Sequence, residues 1–449
     1  MTNQFIKLNS AYKHFPLVII LLGLTIPLIV YCTINFNIYF LLLTLSLLLF
    51  SIYPELGLVL LVSGSWVVEI IFVLLKVPEG FRGASLGMFL GLSLIFYTLI
   101  IKKRIPSFFE HKIYQVSYIF TALLFLGVLY TPNKQYGIFK ALGFLIFCLF
   151  PMIVMIFFQN DLGRLKRIIN LFIILSIPGL IYGLNQLYYK RIEGYRFSLG
   201  EINPIWYGRI LGVIIISLLY IYATHTSKIR YFFIVFIFPA MLLMLYTGSR
   251  GPLLSLTFSL ILFLFLCNNI RLSRRLLLFI FLGTFFIILV YNFIPQHLKH
   301  KFMSYDDENV AIRLIYFPSS IIHFSKNLLV GVGTGGYEAE AFLIERSSFR
   351  KYPHNIILEI IAEMGLFGLS LFVYFIFLVY KISKNLFHLT YKNPKYRPIF
   401  AWSFCIFTFS LLNSFVSGDL VTNVLVWFSS GYLCILSSTI KKSILQNRK

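Results

Sequence analysis

The sequence predicts an all-α membrane protein, a polytopic transmembrane helix bundle of about 12–14 spans with one large loop opposite the cytoplasm. Three observations carry this expectation. Hydrophobic residues fill 59% of 449 positions and charged residues only 12%, more apolar surface than a soluble chain of this length can hide. Uncharged apolar runs near bilayer length recur, at 15–31, 231–246 and 253–267 among others, where about 20 residues cross the hydrocarbon core. The excess of Lys and Arg, which brings the formal net charge to +23, falls mostly between such runs. That placement orients helices in a membrane, and it argues against nucleic acid as the partner of the positive charge.

Taken in order, the spans are expected at 16–34, 37–53, 56–75, 85–101, 114–130, 138–158, 168–186, 205–223, 231–247, 251–268, 276–294, 356–380, 398–416 and 421–439. The first run reads as a retained helix, because no small-residue cleavage site follows it closely. With the N-terminus inside, alternate loops carry the basic clusters Lys102–Lys103–Arg104, Arg164–Lys166–Arg167, Lys228–Arg230 and Arg271–Arg274–Arg275. The later inside segments hold Lys381, Lys384, Lys392, Lys395 and Arg397, then Lys441 and Lys442. Both termini are therefore expected in the cytoplasm. The chain reads as a single integral membrane domain, 1–449, with a large outer loop at 295–353. Within that loop, 305–327 has the apolar spacing of an amphipathic helix, and Pro318 is expected to kink or divide it.

Cys32, Cys148, Cys267, Cys405 and Cys434 all sit in or beside apolar runs with no CxxC pair, and read as core or lipid-facing residues. No metal-ligand spacing, P-loop, HExxH or GxSxG appears. Gly331-Val332-Gly333-Thr334-Gly335-Gly336 fits G-x-G-x-x-G. It lacks the preceding strand of a dinucleotide site, and reads better as a tight turn or an amide nest for phosphate.

Ionisable groups at membrane depth are costly and are functional candidates by default. Arg209 lies about one turn inside the span that opens at Asn203-Pro204, and Arg250 lies in the sharp Ser249-Arg250-Gly251-Pro252 break between two spans. For each, a snorkelling side chain that reaches headgroup phosphate is the alternative. Arg313 in the large loop has the default of an ordinary solvated residue. His354 stands at the outer mouth of the helix that begins at Ile356, where a structural histidine is the alternative to a catalytic one.

These residues belong to a larger pattern. Gly331-Val332-Gly333, followed by Pro353-His354-Asn355-Ile356-Ile357-Leu358-Glu359-Ile360-Ile361-Ala362-Glu363-Met364-Gly365-Leu366-Phe367-Gly368, resembles the "GvG … HNxxLexxxExGxxG" hallmark of the bacterial O-antigen ligase and polymerase family. Thr247-Gly248-Ser249-Arg250-Gly251 looks like its "SRG" turn, and Asn203-Pro204 to Arg209 like its "NP" span start. Tyr130-Thr131-Pro132-Asn133 to Lys140 is similar to an early outer loop of such proteins, and Ser417-Gly418-Asp419 to the turn before the last span. The likeness runs in order from about Tyr130 onward.

The resemblance implies a membrane glycosyltransferase that acts without nucleotide, metal or other cofactor. It would move a glycan from undecaprenyl diphosphate to an acceptor sugar hydroxyl at the outer face of the cytoplasmic membrane. It also implies that Arg209, Arg250 and Arg313 hold the diphosphate, that His354 is catalytic, and that Lys140, Arg196, Asn355 and Asp419 support the site. Expected partners are the lipid-linked oligosaccharide, the acceptor glycan, the bilayer and a chain-length regulator protein. A repeat-unit polymerase is the primary expectation. A ligase that transfers polymer to lipid A-core and a lipid-linked glycan flippase are the alternatives. The flippase is disfavoured because no internal repeat is visible and the candidate charges cluster toward one face.

Overall fold

The computed structural model describes residues 53–63, 107–189, 196–199, 203–225, 233, 235–267, 308–337 and 352–446, with only the helix backbone described over 308–315. The chain divides into two compact units, Met1–Leu61 with Val67–Ser107, and Val62–Trp66 with Phe108–Lys449. Among the described residues every regular element is helical. Of the first unit, one apolar helix is described, α1 (Pro54–Val62).

The second unit is the helical bundle. It begins with α2 (Lys112–Gly127) and α3 (Lys134–Gly143). A π-helical turn at Phe144–Leu149 leads into α4 (Phe150–Val154) and a 3-10 turn at Met155–Phe158. Pro151 sits at the seam. Its missing N–H leaves the preceding turn without one helical bond, a recognised setting for a widened turn. Then follow α5 (Leu162–Tyr189), α6 (Pro204–Thr224), α7 (Ile237–Tyr246) and α8 (Arg250–Leu266). The bundle closes with α9 (Glu308–Lys326), α10 (Ile356–Lys392), α11 (Arg397–Ser414) and α12 (Val424–Gln446).

Among the described residues, five stretches are long and apolar enough to cross a membrane: 134–158, α5, α6, α10 and α12. Shorter apolar helices are α2, α7 and α8. Each overlaps an expected span, but α5 begins six residues earlier than expected, α12 runs on to Gln446 and α10 to Lys392. The expected spans 16–34, 37–53, 85–101 and 276–294, and most of 56–75, lie outside the described residues. Of the two outcomes expected at Pro318, a kink or a division, the division is corrected: Pro318 lies inside α9, which continues through it as one helix.

The centre of the bundle is α11, packed against α6, α8 and α12. Nearly all its residues are buried, as expected of a helix apolar on every side. Trp402 of α11 donates its indole N–H to Ser217 of α6 at 2.9 Å, so its one polar atom is satisfied in the apolar interior. Trp427 of α12 is enclosed by Phe120, Phe144, Phe372 and Phe375. By contrast, α10 buries Phe372, Phe375 and Val379 and exposes Phe367, Val373, Tyr374, Phe377 and Tyr380 on its other face. An exposed stripe this apolar on a long helix is suited to lipid.

One element differs in kind from the expectation. The apolar run from Ile356 reads as one continuous helix, but Gly365 interrupts it with φ 60 and ψ −155. The segment 356–364 is thus a short helix of its own, and the long helix starts after the break. The Gly331-Val332-Gly333 turn lies against this break. Val332 and Gly333 donate their amides to Ala362 and Glu363 carbonyls at 2.9 and 3.0 Å, and Leu366 and Phe367 donate to Leu328 and Leu329 at 2.8 and 3.1 Å. A Cβ on Gly331 would meet Glu363 backbone at 2.4 Å, so only glycine permits the approach. The turn is therefore a brace for the broken helix. With its Val332 and Gly333 amides spent on the helix, the expected phosphate nest gives way to this structural role.

Candidate functional site

The segment from Asn413 to Asn423, the connection between α11 and α12, is where the candidate residues meet. Asn203 caps α6 by accepting the Ile205 amide at 2.9 Å, with Pro204 in the first turn. That start fixes Arg209 just over one turn in, where it is 6% exposed. Its guanidinium donates to Ser417 O at 2.6 Å, Asn413 O at 3.4 Å and Asn423 Oδ1 at 3.1 Å. Nε has no hydrogen-bond partner among the described residues. Tyr352 and Asp419 lie close enough to Arg209 to interact with it electrostatically.

Arg250 is the first residue of α8, after the tight Thr247–Ser249 turn, and is half-buried. The turn is held from the side by Arg196, which donates to Thr247 O at 2.8 Å and to Ser249 Oγ at 2.6 Å. Phe197 adds a backbone bond to Tyr246 O at 2.9 Å. Next to Arg250, Gly251 faces Val416, where an added Cβ would come within 2.8 Å of its side chain. The Ser-Arg-Gly break and the α11–α12 connection are thus neighbours.

The short helix 356–364 meets the same connection. Asn355 caps it, accepting the Ile357 and Leu358 amides at 2.9 and 3.2 Å, and its Nδ2 donates to Phe415 O at 2.9 Å. One turn in, Glu359 Oε2 accepts the Leu420 amide at 2.8 Å. Glu359 and Glu363, four apart on one face, both bind Lys140 of α3, at 2.5 and 2.6 Å. All three are at most 5% exposed. Asp419 closes its own loop by accepting the Thr422 amide at 2.7 Å.

His354 precedes the cap. Its φ of 54 is one of two positive values among described non-glycine residues. The left-handed region costs such a residue about 1–3 kcal/mol, and persists where the surroundings over-determine it. The imidazole packs on Tyr352, ring centroids 4.1 Å apart, and is stacked with Tyr316 of α9 at 6.2 Å. Arg313 is on α9 too, and its side chain lies outside the described residues.

On the far side of the short helix, Tyr130 donates to Val330 O at 2.8 Å. Thr334 reaches Leu124 O of α2 at 2.7 Å. The expected early outer loop and the Gly331–Gly336 turn are therefore one packed unit.

The structure thus gathers Arg209, Asn355, Asp419 and the neighbourhood of Arg250 around one connection, and Lys140 joins them through Glu359. Arg196 supports the Ser-Arg-Gly turn, and His354 adjoins the cap. Absent from the sequence-based site were Glu359, Glu363, Tyr352, Tyr316, Asn413 and Asn423. The two glutamates carried a usable signal, as acids inside an apolar helix. Among the described residues no group of three or more His, Cys, Asp or Glu side chains is placed to hold a metal ion.

Comparison with known proteins finds the O-antigen ligase family over residues 232–373. The match includes Arg250, Arg313, His354, Asn355, Glu359 and Glu363, while Lys140, Arg196, Arg209 and Asp419 lie outside it. No curated protein matches the chain. An all-helical bundle with membrane-length helices thus carries, over residues 232–373, a region that matches the O-antigen ligase family.

Proposed function

We propose that the protein is a polysaccharide repeat-unit polymerase. It transfers a glycan from undecaprenyl diphosphate to a sugar hydroxyl at the outer face of the cytoplasmic membrane, without a metal. The observation that carries this reading is the convergence of Arg209, the Ser249-Arg250 turn and the His354-Asn355 helix start on the 413–423 connection.

In the proposed reaction the acceptor oxygen attacks C1 of the donor sugar. The C1–O bond to phosphate breaks, and the diphosphate leaves with its electron pair. Guanidinium groups suit such a leaving group, because they pair bidentately with phosphate and keep their charge. Arg250 contacts the diphosphate, with Arg209 as a buried positive charge beneath it and Arg313 on the covering helix α9. His354 takes the proton of the acceptor hydroxyl. Its aromatic neighbours restrict the ring to one orientation.

Sidedness is part of the proposal. Arg164, Lys166, Arg167, Lys392, Lys395, Arg397, Lys441 and Lys442 lie near helix ends away from this site. Tyr396, bonded to Ser443 at 2.8 Å, joins two of these ends. A basic end favours the cytoplasm, which puts the site outside.

The test is transfer from lipid-linked repeats by the purified protein in lipid nanodiscs. Removing a positioned base costs about 10²–10⁴-fold in rate. His354→Ala should therefore nearly abolish transfer at normal protein abundance, and Arg250→Ala should raise the donor KM. A His354→Ala variant that elongates chains at the wild-type rate removes the histidine from the mechanism. The matched family is described by ligase activity, so transfer to lipid A-core is the second reading. A strain lacking the protein decides between them. Single repeats on the carrier-derived end product support polymerisation, and full-length unattached polymer supports ligation.

A further inference from the structure

We propose that Lys140, Glu359 and Glu363 form a positioning latch that sets the His354 end of the short helix for glycan transfer. The inference rests on the transfer reading above. It names positioning residues, since none of the three has been placed against substrate.

The geometry begins with the helix itself. Segment 356–364 spans little more than two turns, too short to hold its place by its own hydrogen bonds. The break at Gly365 separates it from the long helix. Its orientation must come from side contacts. At its start, Asn355 is tied to Phe415 O. At its end, Ala362 and Glu363 carbonyls take the Val332 and Gly333 amides. Between these, Lys140 reaches across from α3 and holds both glutamates, at 2.5 and 2.6 Å. Glu359 also holds the Leu420 amide at 2.8 Å. Three separate chain segments, the 413–423 connection, the 332–333 turn and α3, thus fix one short helix.

Two features favour positioning over plain stability. First, one ammonium faces two carboxylates, all nearly excluded from water. A buried ion pair stabilises little compared with apolar residues of the same volume, so its use here is better explained by the geometry it enforces. Second, the residue just ahead of the helix is His354 at φ 54. A strained backbone at that position requires rigid neighbours. The latch supplies them within two turns of the imidazole.

The test is a kinetic cycle on the full-length protein in nanodiscs with lipid-linked repeats as substrate. Lys140→Gln, Glu359→Gln and Glu363→Gln together remove all three charges and keep amides that can hydrogen-bond. A displacement of about 1 Å in a reacting group costs on the order of 10²-fold. The triple variant should lose kcat on that scale, with donor KM within about threefold of wild type. Combined with His354→Ala, it should lose little more than His354→Ala alone, because both act through one group. Wild-type kcat in the triple variant, or losses that multiply, overturns the latch. Should the triple variant fail to accumulate, Glu363→Gln alone keeps the Lys140–Glu359 pair. It should lower kcat with KM unchanged, and wild-type kcat there also overturns the latch. If the wild-type protein transfers no glycan, it is the functional reading that fails. The latch is then read from a cysteine at Tyr352, in a variant whose five native cysteines are replaced. Its labelling by a thiol reagent should speed up when the latch charges are removed, and equal rates overturn the inference.

Discussion

Replacing Gly365 by alanine tests whether the broken helix is a built feature. The backbone there has φ 60 and ψ −155, a region that is essentially glycine's own and costs other residues about 1–3 kcal/mol. An alanine Cβ would also lie 2.5 Å from Leu329 C, 2.6 Å from Leu329 O and 2.7 Å from Gly331 N. These are backbone atoms, so no side chain can swing aside. The Gly331–Gly333 turn must retreat, which endangers the bonds from Leu366 and Phe367 to Leu328 and Leu329. Each is worth about 0.5–1.5 kcal/mol net. The combined loss is about 2–6 kcal/mol, a large part of the stability of an ordinary folded domain. Thermal unfolding of the detergent-purified protein should show it as a clear fall in midpoint, with lower abundance in membranes. Gly163→Ala is the control, because only Asp161 Oδ1 lies near its Cβ position, at 3.2 Å, and its change should stay within about 1 kcal/mol. A Gly365→Ala protein that unfolds with the wild type refutes the account of the break.

Three further outcomes are expected. Arg209→Lys keeps the charge but replaces a planar fork that serves Ser417, Asn413 and Asn423; transfer should fall and remain below wild type even where abundance recovers, and full activity would show that the fork is dispensable. A cysteine at Ser347, in a variant without native cysteines, should react with an impermeant thiol reagent in intact spheroplasts; labelling only after membrane rupture would reverse the proposed sidedness. Glycan transfer should survive EDTA, and a loss that Mg²⁺ or Mn²⁺ restores would count against charge stabilisation by arginine alone.

Much of the fold is legible in local sequence. The helix start at Asn203-Pro204 follows from a side-chain cap and from proline in the first turn, and the start at Ser249-Arg250 from the Gly-Pro that follows it. Apolar runs give the spans because a bilayer asks only for length and hydropathy. Those same properties conceal the break at Gly365, since hydropathy is indifferent to a backbone angle. They conceal the π-helical turn at 144–149 as well. That turn brings Cys148 to the carbonyl of Val421, 3.3 Å away, a relation that depends on a neighbour far along the chain. Pro318 failed as a helix divider for the opposite reason. A proline removes one donor locally, while α9 is also held by its packing against α10.

The candidate site is legible in its members and not in their bonds. Arg209 is anomalous at membrane depth whether it grips a diphosphate or the carbonyls of its own protein, because either one satisfies a buried guanidinium. Only the three acceptors around it separate a clamp from a free ligand arm. Lys140 likewise looked like one cation of an outer loop, and its partner Glu363 is 223 residues away. The glutamates, however, stand four apart on an apolar helix behind an asparagine cap, a spacing that puts two costly acids on one face. Two acids so placed require a buried cation opposite them, and in this fold Lys140 is that cation. The charge that a diphosphate site would draw on is therefore partly committed before any substrate arrives. That commitment ties Lys140 to holding the helix and leaves the direct approach to phosphate, in the proposed mechanism, to the half-buried Arg250 at the start of α8.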